Sequence, residues 1–199
     1  MRLNLAGFYN VYRDLQLSAA GILNGFSVVI PRNVGLAHVK GLEAELEAHP
    51  TEHLLVTASG SYLDFRYIDL GTAAGVPGGP CLACKPPLSP TWKFNAGVQY
   101  GFPMASGATI TPRLDVTYQS KIFNEATNNP LSAQPGYTTL DGRVTWRAPD
   151  DSWEAAVFVT NLTNKFYYYN IFDSQSSVGV ITAQPARPRE WAVSIKRNF

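Results

Sequence analysis

The sequence predicts an all-β chain: an antiparallel meander of about eight strands forming part of a transmembrane β-barrel wall. Three observations carry this expectation. Apolar and polar residues alternate with period two along most of the 199 residues. The candidate strands run to about 11–15 residues, well beyond the ~5–6 usual in globular sheets. The connections between them alternate long and short, as in a chain that crosses a membrane with short turns on one side and long loops on the other.

Residues 2–14 set Leu3, Leu5, Tyr9 and Val11 on one face against Asn4, Ala6, Asn10, Tyr12 and Asp14, with Phe8 out of place among the polar set. Residues 15–33 carry Gly21, Gly25 and Pro31 and read as a long loop, with GFSVVIP a candidate strand extension inside it. Residues 34–48 place Leu42, Ala44, Leu46 and Ala48 opposite Glu43, Glu45 and Glu47. Helix formers abound here, but a helix would scatter the glutamates, whereas a strand moves all the charge to one face. A turn, HPTEH, leads to residues 54–67, with Leu54, Val56, Ala58, Gly60 and Tyr62 against Thr57, Ser59 and Ser61.

A Gly- and Pro-rich loop spans 68–90, and the chain returns from Trp92 to Phe102 with Phe94, Ala96, Val98 and Tyr100 against Asn95, Gly97 and Gln99. After PMASG comes the cleanest strand, 108–120. Ile110, Pro112, Leu114, Val116 and Tyr118 make an uncharged face against Thr111, Arg113, Asp115, Thr117 and Gln119. Pro112 lacks a ladder donor and is expected at an edge or a bulge. A loop at 121–136 precedes residues 137–147, where Leu140, Gly142, Val144 and Trp146 oppose Asp141, Arg143 and Thr145. The turn APDDS leads into WEAAVFVTNLTNKFYYYN, then a polar loop over 169–186. In the last strand Trp191, Val193, Ile195 and Phe199 share one parity, while Ala192, Ser194, Lys196 and Asn198 share the other; Arg197 interrupts the apolar row near its end. Trp146, Trp153 and Phe102 stand at the short-turn ends, and Tyr118, Tyr137 and Tyr167–Tyr169 at the opposite ends, which reads as two aromatic belts.

Net charge +1 with 16% charged residues leaves no footprint for a polyanion, so nucleic acid is not an expected partner. No apolar run approaches the ~20 residues of a membrane-spanning helix. The start, MRLNLAGFYNVYRD, is already strand-like and lacks the pattern of an export signal; the expectation is the back end of a larger protein. No Ser-His-Asp order, G-x-S-x-G, P-loop or H-E-x-x-H occurs, so no catalytic residue, cofactor or metal site is assigned and the chain is not expected to be an enzyme. His49 and His53 flank a turn and are explained as polar turn residues.

The run NLTNKFYY (Asn161–Tyr168), the Arg-rich RPREW (Arg187–Trp191), the terminal Phe199 and KGLEAEL (Lys40–Leu46) resemble the β-barrel of TonB-dependent outer-membrane receptors. The resemblance implies that residues 1–199 are the C-terminal portion of a barrel of about 22 strands, located in the bacterial outer membrane. It implies transport of a scarce ligand such as a ferric siderophore, with iron transport the commonest case. The lumen of such a barrel holds an N-terminal plug, and this plug and the TonB-engaging segment have no counterpart in these residues. The implied partners are outer-membrane lipid, the barrel-assembly machinery acting on Trp191, Val193, Ile195 and Phe199, a small-molecule ligand, and TonB through an N-terminal region. Ligand-binding residues are not assigned. Lumen-facing candidates are Glu43, Glu45, Glu47, Arg113, Asp115, Asp141, Arg143, Glu154 and Lys196, for which solvation and cross-strand pairing are the simpler account.

Cys81 and Cys84 form a C-x-x-C. A redox dithiol wants a helix start, which Pro80 and the following KPP deny, and a zinc site wants two more ligands. A small disulfide at the tip of an outer loop is the preferred reading, with two free thiols as the alternative. Two rival classes stay open for the whole chain: a self-contained eight-stranded outer-membrane protein of structural or adhesive type, and a soluble secreted β-sandwich binding module.

Overall fold

The computed structural model describes residues 1–23, 26–75 and 79–198. Its main sheet is built from β1 (Arg2–Leu23), β2 (Phe26–Thr51), β3 (Leu54–Asp69), β4 (Trp92–Tyr100), β5 (Phe102–Pro103), β6 (Thr109–Gln119), β9 (Tyr137–Arg147), β10 (Trp153–Thr160) and β13 (Glu190–Arg197). Short pairs lie in the connections: β7 (Ile122–Phe123) with β8 (Ala133–Gln134), and β11 (Tyr168–Ser174) with β12 (Val180–Pro185), joined by a one-turn helix, α1 (Gln175–Val178).

The sheet order is β1-β2-β3-β4-β6-β9-β10-β13, with β5 on β6, and every pairing is antiparallel. It is the predicted meander. Each main strand pairs with its sequence neighbour once the loop pairs are set aside. Turns at 52–53, 104–108 and 148–152 close one end, and the connections 70–91, 120–136 and 161–189 gather at the other. In the turn before β10, Ala148 N–H donates to Trp153 O at 2.9 Å and Asp151 takes φ 56°. There the Ser152 hydroxyl and amide beside Asp150 hold its carboxyl below the usual carboxylate range.

Register carries the alternation across the whole sheet. Leu46 pairs Ala58, Ala58 pairs Ala96, Ala96 pairs Val116 and Val116 pairs Leu140, so one apolar face runs across five strands. It continues through Val144–Val157 and Val157–Val193 to the last strand. Among the described residues no second sheet covers this face: Leu42 is 64% exposed, Trp191 64%, Val193 70% and Ile195 71%. A soluble sandwich would bury these side chains, each worth ~1.5–3 kcal/mol. The apolar cluster at Ala37, Tyr67, Ala73 and Cys84 is small and lies at the loop end. Nor, among the described residues, does the sheet close on itself, since β1 and β13 each pair on one side only. The sandwich and the self-contained closed barrel therefore both give way to an open segment of barrel wall.

Several local expectations need correction. Residues 15–33 are not a loop: the β1–β2 ladder runs on through Leu15–Val34 and Leu17–Arg32 to Leu23–Phe26. An established ladder propagates through local breakers, and Leu15 and Leu17 are anchored on the Ala37–Tyr67 cluster. Pro112 is at neither an edge nor a bulge. It stands in the middle of the sheet, paired with Val144, and on its other side the ladder lapses between β4 and β5, so its missing N–H is placed where no donor is required. Phe8 is on the polar face because its ring covers the bare backbone of Gly41, its cross-strand partner, where a Cβ would collide with it. The chain beyond Thr160 leaves the sheet at Asn161, so the predicted long penultimate strand is β10 followed by a separate hairpin.

The belts also need revision. At the loop end, Tyr62, Trp92, Phe94 and Tyr118 form a continuous row on the apolar face, with successive ring centroids 4.5, 5.7 and 6.0 Å apart. At the turn end, Tyr100 and Phe102 lie 4.5 Å apart, and Arg197 covers the Trp153 ring at 5.4 Å. Tyr137 does not belong to a belt: it pairs with Gln119 on the polar face and stacks on Tyr167 at 4.1 Å. Its odd number puts it opposite Leu140 in parity.

Candidate functional site: the polar face and the interlocked loops

The register places Glu43, Glu45, Glu47, Arg113, Asp115, Asp141, Arg143, Glu154 and Lys196 on the face opposite the apolar one. Charges of both signs lie along it, the three glutamates together on one strand and the arginines interleaved with aspartates on two others. The glutamates stand on β2, where Arg2 meets Glu47 at 3.0 Å and Asn4 meets Glu45 at 3.4 Å. The guanidinium groups stand on β6 and β9, where Arg113 and Arg143 are direct partners. Like charges in that position repel, and each is turned to a carboxylate instead. Arg113 donates two bonds to Asp115, at 2.7 and 2.5 Å. Arg143 reaches Glu154 at 3.4 Å, and Arg147, which the sequence reading missed, reaches the same carboxylate at 3.0 Å.

Gly97 makes room for the first of these pairs. It lies opposite Asp115, and a Cβ there would meet the Asp115 carboxylate, the Arg113 guanidinium and the Thr57 hydroxyl. Beside it a small polar ladder crosses three strands: Thr117 donates to Asn95 at 3.0 Å and Asn95 to Ser59 at 3.3 Å. Shallow grooves of about 340 and 420 Å³ lie over these groups. The arrangement offers hydrogen-bond donors and acceptors of both charge signs. Among the described residues no cluster of His, Cys, Asp or Glu has the makings of a metal site.

Asp141 has a different task from its neighbours: it accepts the backbone N–H of Asn161 at 2.8 Å. Asn161 is buried, takes φ 51°, and its side chain accepts from Lys165 N at 2.7 Å while donating to Lys165 O at 2.9 Å and Arg187 O at 3.3 Å. Asn164 accepts from Arg189 N at 3.0 Å. The NLTNK run and the Arg-rich lead-in to β13 are thus one knot, in which asparagine supplies the bonds a ladder would otherwise make. A groove of about 540 Å³ opens beside it, lined by Thr139, Asp141, Tyr167, Tyr169 and Arg187 among others.

The three long connections interlock in the same way. Asn128 accepts from Lys85 N at 2.6 Å and donates to Lys85 O at 2.8 Å, so a side chain imitates a strand partner. Asn129 donates to Asp173 at 2.5 Å and to Gln175 at 3.1 Å. Asn124 donates to Ser132 O at 2.8 Å and accepts from Ile171 N at 3.3 Å, and Gln134 accepts from Tyr168 N at 2.8 Å. Burial pushes the Glu125 carboxyl above its usual range, with the Asp173 charge adding to the rise and the Asp173 amide opposing it. Cys81 and Cys84 are joined in a disulfide with Cα atoms 4.9 Å apart, and Cys84 is buried in the cluster with Tyr67. Of these asparagines the sequence pointed only to Asn161 and Asn164, as part of the NLTNKFYY run that carries the family resemblance, and it pointed to neither of their clamping roles. Of the terminal apolar row, Trp191, Val193 and Ile195 are on the exposed apolar face, and Phe199 lies outside the described residues.

Residues 1–162 match the family described as TonB dependent receptor-like, β-barrel. No curated protein matches the chain. Among solved structures, the ferric yersiniabactin uptake receptor FyuA from Yersinia pestis superposes with TM-score 0.77 at 22% identity, over 99% of this chain and 27% of that one. BauA, the ferric preacinetobactin receptor from Acinetobacter baumannii, gives TM-score 0.66 at 19% identity over 97% and 26%. The copper transporter OprC gives TM-score 0.70 at 15% identity over 99% and 28%. The chain therefore spans about a quarter of the length of these solved receptors. The barrels of the family are transporters, not enzymes, and sit in the outer membrane of Gram-negative bacteria. With the family matched over residues 1–162, most of its length, the chain belongs to the TonB-dependent receptors, within their β-barrel.

Proposed function

We propose that residues 1–199 form the C-terminal portion of a receptor barrel whose whole performs energy-coupled uptake of a scarce small-molecule ligand across the outer membrane. The observation that carries this is the division of one sheet into a face that is uncharged from Leu42–Tyr62 to Ala48–Val56 and across to Val116–Leu140, and a face bearing Arg113, Arg143, Glu45 and Glu47. A wall with lipid on one side and water on the other needs that division. In this reading Glu43, Glu45, Glu47, Arg113, Asp115, Asp141, Arg143, Glu154 and Lys196 face the lumen, where a plug would meet them. The loop end faces the exterior, which suits the Cys81–Cys84 disulfide. TonB acts through a segment outside these residues.

A ferric siderophore is the proposed ligand class. Its support is the description of FyuA and BauA as receptors for ferric siderophores, against a copper transporter on the same fold. The test is accumulation of iron-55 from a panel of ferric siderophores by cells that carry the full-length receptor and lack their own. Uptake of one panel member, abolished when TonB is removed, is the expected result. TonB-dependent uptake of copper or a sugar alone would replace the ligand, and no TonB dependence would remove the receptor function.

Trp191, Val193, Ile195 and Phe199 are proposed as the signal read by the barrel-assembly machinery. Burying one aromatic is worth only ~1.5–3 kcal/mol, too little to cost a large barrel its fold. Deleting Phe199 should therefore reduce the amount inserted far more than the melting temperature of what does insert. Normal insertion with a lowered melting temperature would make Phe199 a packing residue.

A further inference from the structure

The apolar face changes character above the aromatic row at the loop end. On β2 and β3 it is uncharged up to the pair Leu42–Tyr62. The next two pairs of the same parity are Lys40 with Asp64 and His38 with Arg66. On β1 their partners are Tyr9 and Val11. These groups share the face of Leu42 and Leu46, so they open toward the lipid side and not toward the polar face. They begin one residue pair beyond Tyr62, whose ring lies 4.5 Å from Trp92, at the level where an aromatic belt meets head groups.

The cluster is organised around a sunken carboxylate. The Asp64 side chain is only 8% exposed and is reached by Arg66 at 3.2 Å and Lys40 at 3.6 Å. The two cations keep 69% and 58% of their surface open. One carboxylate thus holds two cations in place without covering either. Lys85, brought in by the loop that Asn128 clamps, lines the same recess as Asp64 and Arg66. On the same face, Tyr9 Oη and His38 Nδ1 are 3.1 Å apart. The simplest alternative is a solvated charge pair, and two facts weigh against it. A pair needs one cation, and here two share one acid with a third nearby. A solvated pair also has no reason to stand on the lipid side, directly above the belt.

We infer that Lys40 and Arg66, set in position by Asp64 and backed by Lys85, bind the phosphate of a lipid head group in the bilayer leaflet on the loop side. A lipid is preferred to free phosphate because the recess opens where head groups lie, and the excess positive charge calls for an anion. The inference rests on the lipid-facing assignment of this face and is independent of which ligand the receptor carries.

The test uses the full-length receptor bearing these residues, placed in phosphatidylcholine nanodiscs with and without phosphatidic acid. Lipid retained on extraction is counted by native mass spectrometry. The wild type should retain phosphatidic acid in preference to phosphatidylcholine. Lys40→Gln and Arg66→Gln should each weaken retention about fivefold, and the double substitution about 25-fold. Asp64→Asn removes the competing carboxylate and should strengthen retention, a change that a damaged fold does not produce. Heat-modifiability and ligand uptake, measured in parallel, should be unchanged in the glutamine variants, which keeps a failure here separate from a failure of the receptor function. Retention unaffected by the double substitution would overturn the site. Full displacement of the lipid by millimolar inorganic phosphate would reduce it to a soluble-anion site and overturn the lipid assignment.

Discussion

The sheet and the loop cluster meet one requirement, partners for backbone polar groups, by opposite means. Between β3 and β9 the strands satisfy one another through ladders that, apart from the lapse beside Pro112, do not depend on side-chain identity, and the residues contribute only a choice of face. In the connections the backbone is irregular and single asparagines complete it: Asn128 for Lys85, Asn161 for Lys165 and Arg187, Asn124 for Ile171. The difference teaches where each region is vulnerable. The sheet should tolerate many substitutions that respect parity and few that violate it. The loops should be indifferent to parity and sensitive to the loss of one amide.

The largest expected effect comes from breaking parity. Val116 has Ala96 and Leu140 at its sides on the apolar face. Val116→Arg should cost ~2–4 kcal/mol by placing a cation in lipid. Thr139→Arg, on the polar face opposite Thr117, should cost no more than ~0.5 kcal/mol. Urea titration of the full-length receptor in vesicles measures both, and equal costs would mean that the two faces do not meet different solvents.

Overpacking beneath the ion pair comes next. Gly97→Val should cost about 1–3 kcal/mol, because the Arg113–Asp115 pair occupies the space the side chain needs. Adding Arg113→Ala and Asp115→Ala should recover most of that loss in the same titration. A triple variant as unstable as Gly97→Val alone would place the strain in the backbone instead.

Loss of a loop amide should act locally. Asn161→Ala leaves Lys165 N–H and two carbonyls without their partner, at about 1–3 kcal/mol. The effect should appear as faster hydrogen exchange at Lys165 and protease cutting within 161–190, with the melting of the strand ladder little changed. Asn128→Ala should do the same between residues 79–91 and 121–136. Uniformly faster exchange throughout β4, β6 and β9 would show that loops and sheet unfold as one unit.

The smallest effect concerns acidity in the cluster. Burial raises the Glu125 carboxyl above its usual range, so the folded loops favour its protonated form. Its contribution is fully present below the ordinary glutamate range and is lost as pH rises through the raised value. Proteolytic protection of 124–132 should therefore fall over that interval, and Glu125→Gln should remove the pH dependence. Protection that rises with pH in the wild type would reverse the assignment.

Parity was legible in the sequence because it is a local property: the pleat repeats every two residues, so Leu114, Val116 and Tyr118 declare their face with no knowledge of what surrounds them. The alternation of long and short connections then gave the meander. Tyr137 shows the limit of that reading. Its position at a strand end suggested a belt, while its parity already assigned it to the polar face, where the structure stacks it on Tyr167. Three things were decided only in the folded chain. The β1–β2 ladder overrode Gly21 and Pro31, because cross-strand pairing outweighs a local preference for a loop. Pro112 found a gap in the middle of the sheet, which exists only because β4 and β5 are interrupted opposite it. The asparagine clamps join residues as far as 43 and 47 positions apart, so each Asn looks like an ordinary loop residue until the meander brings its partner within reach.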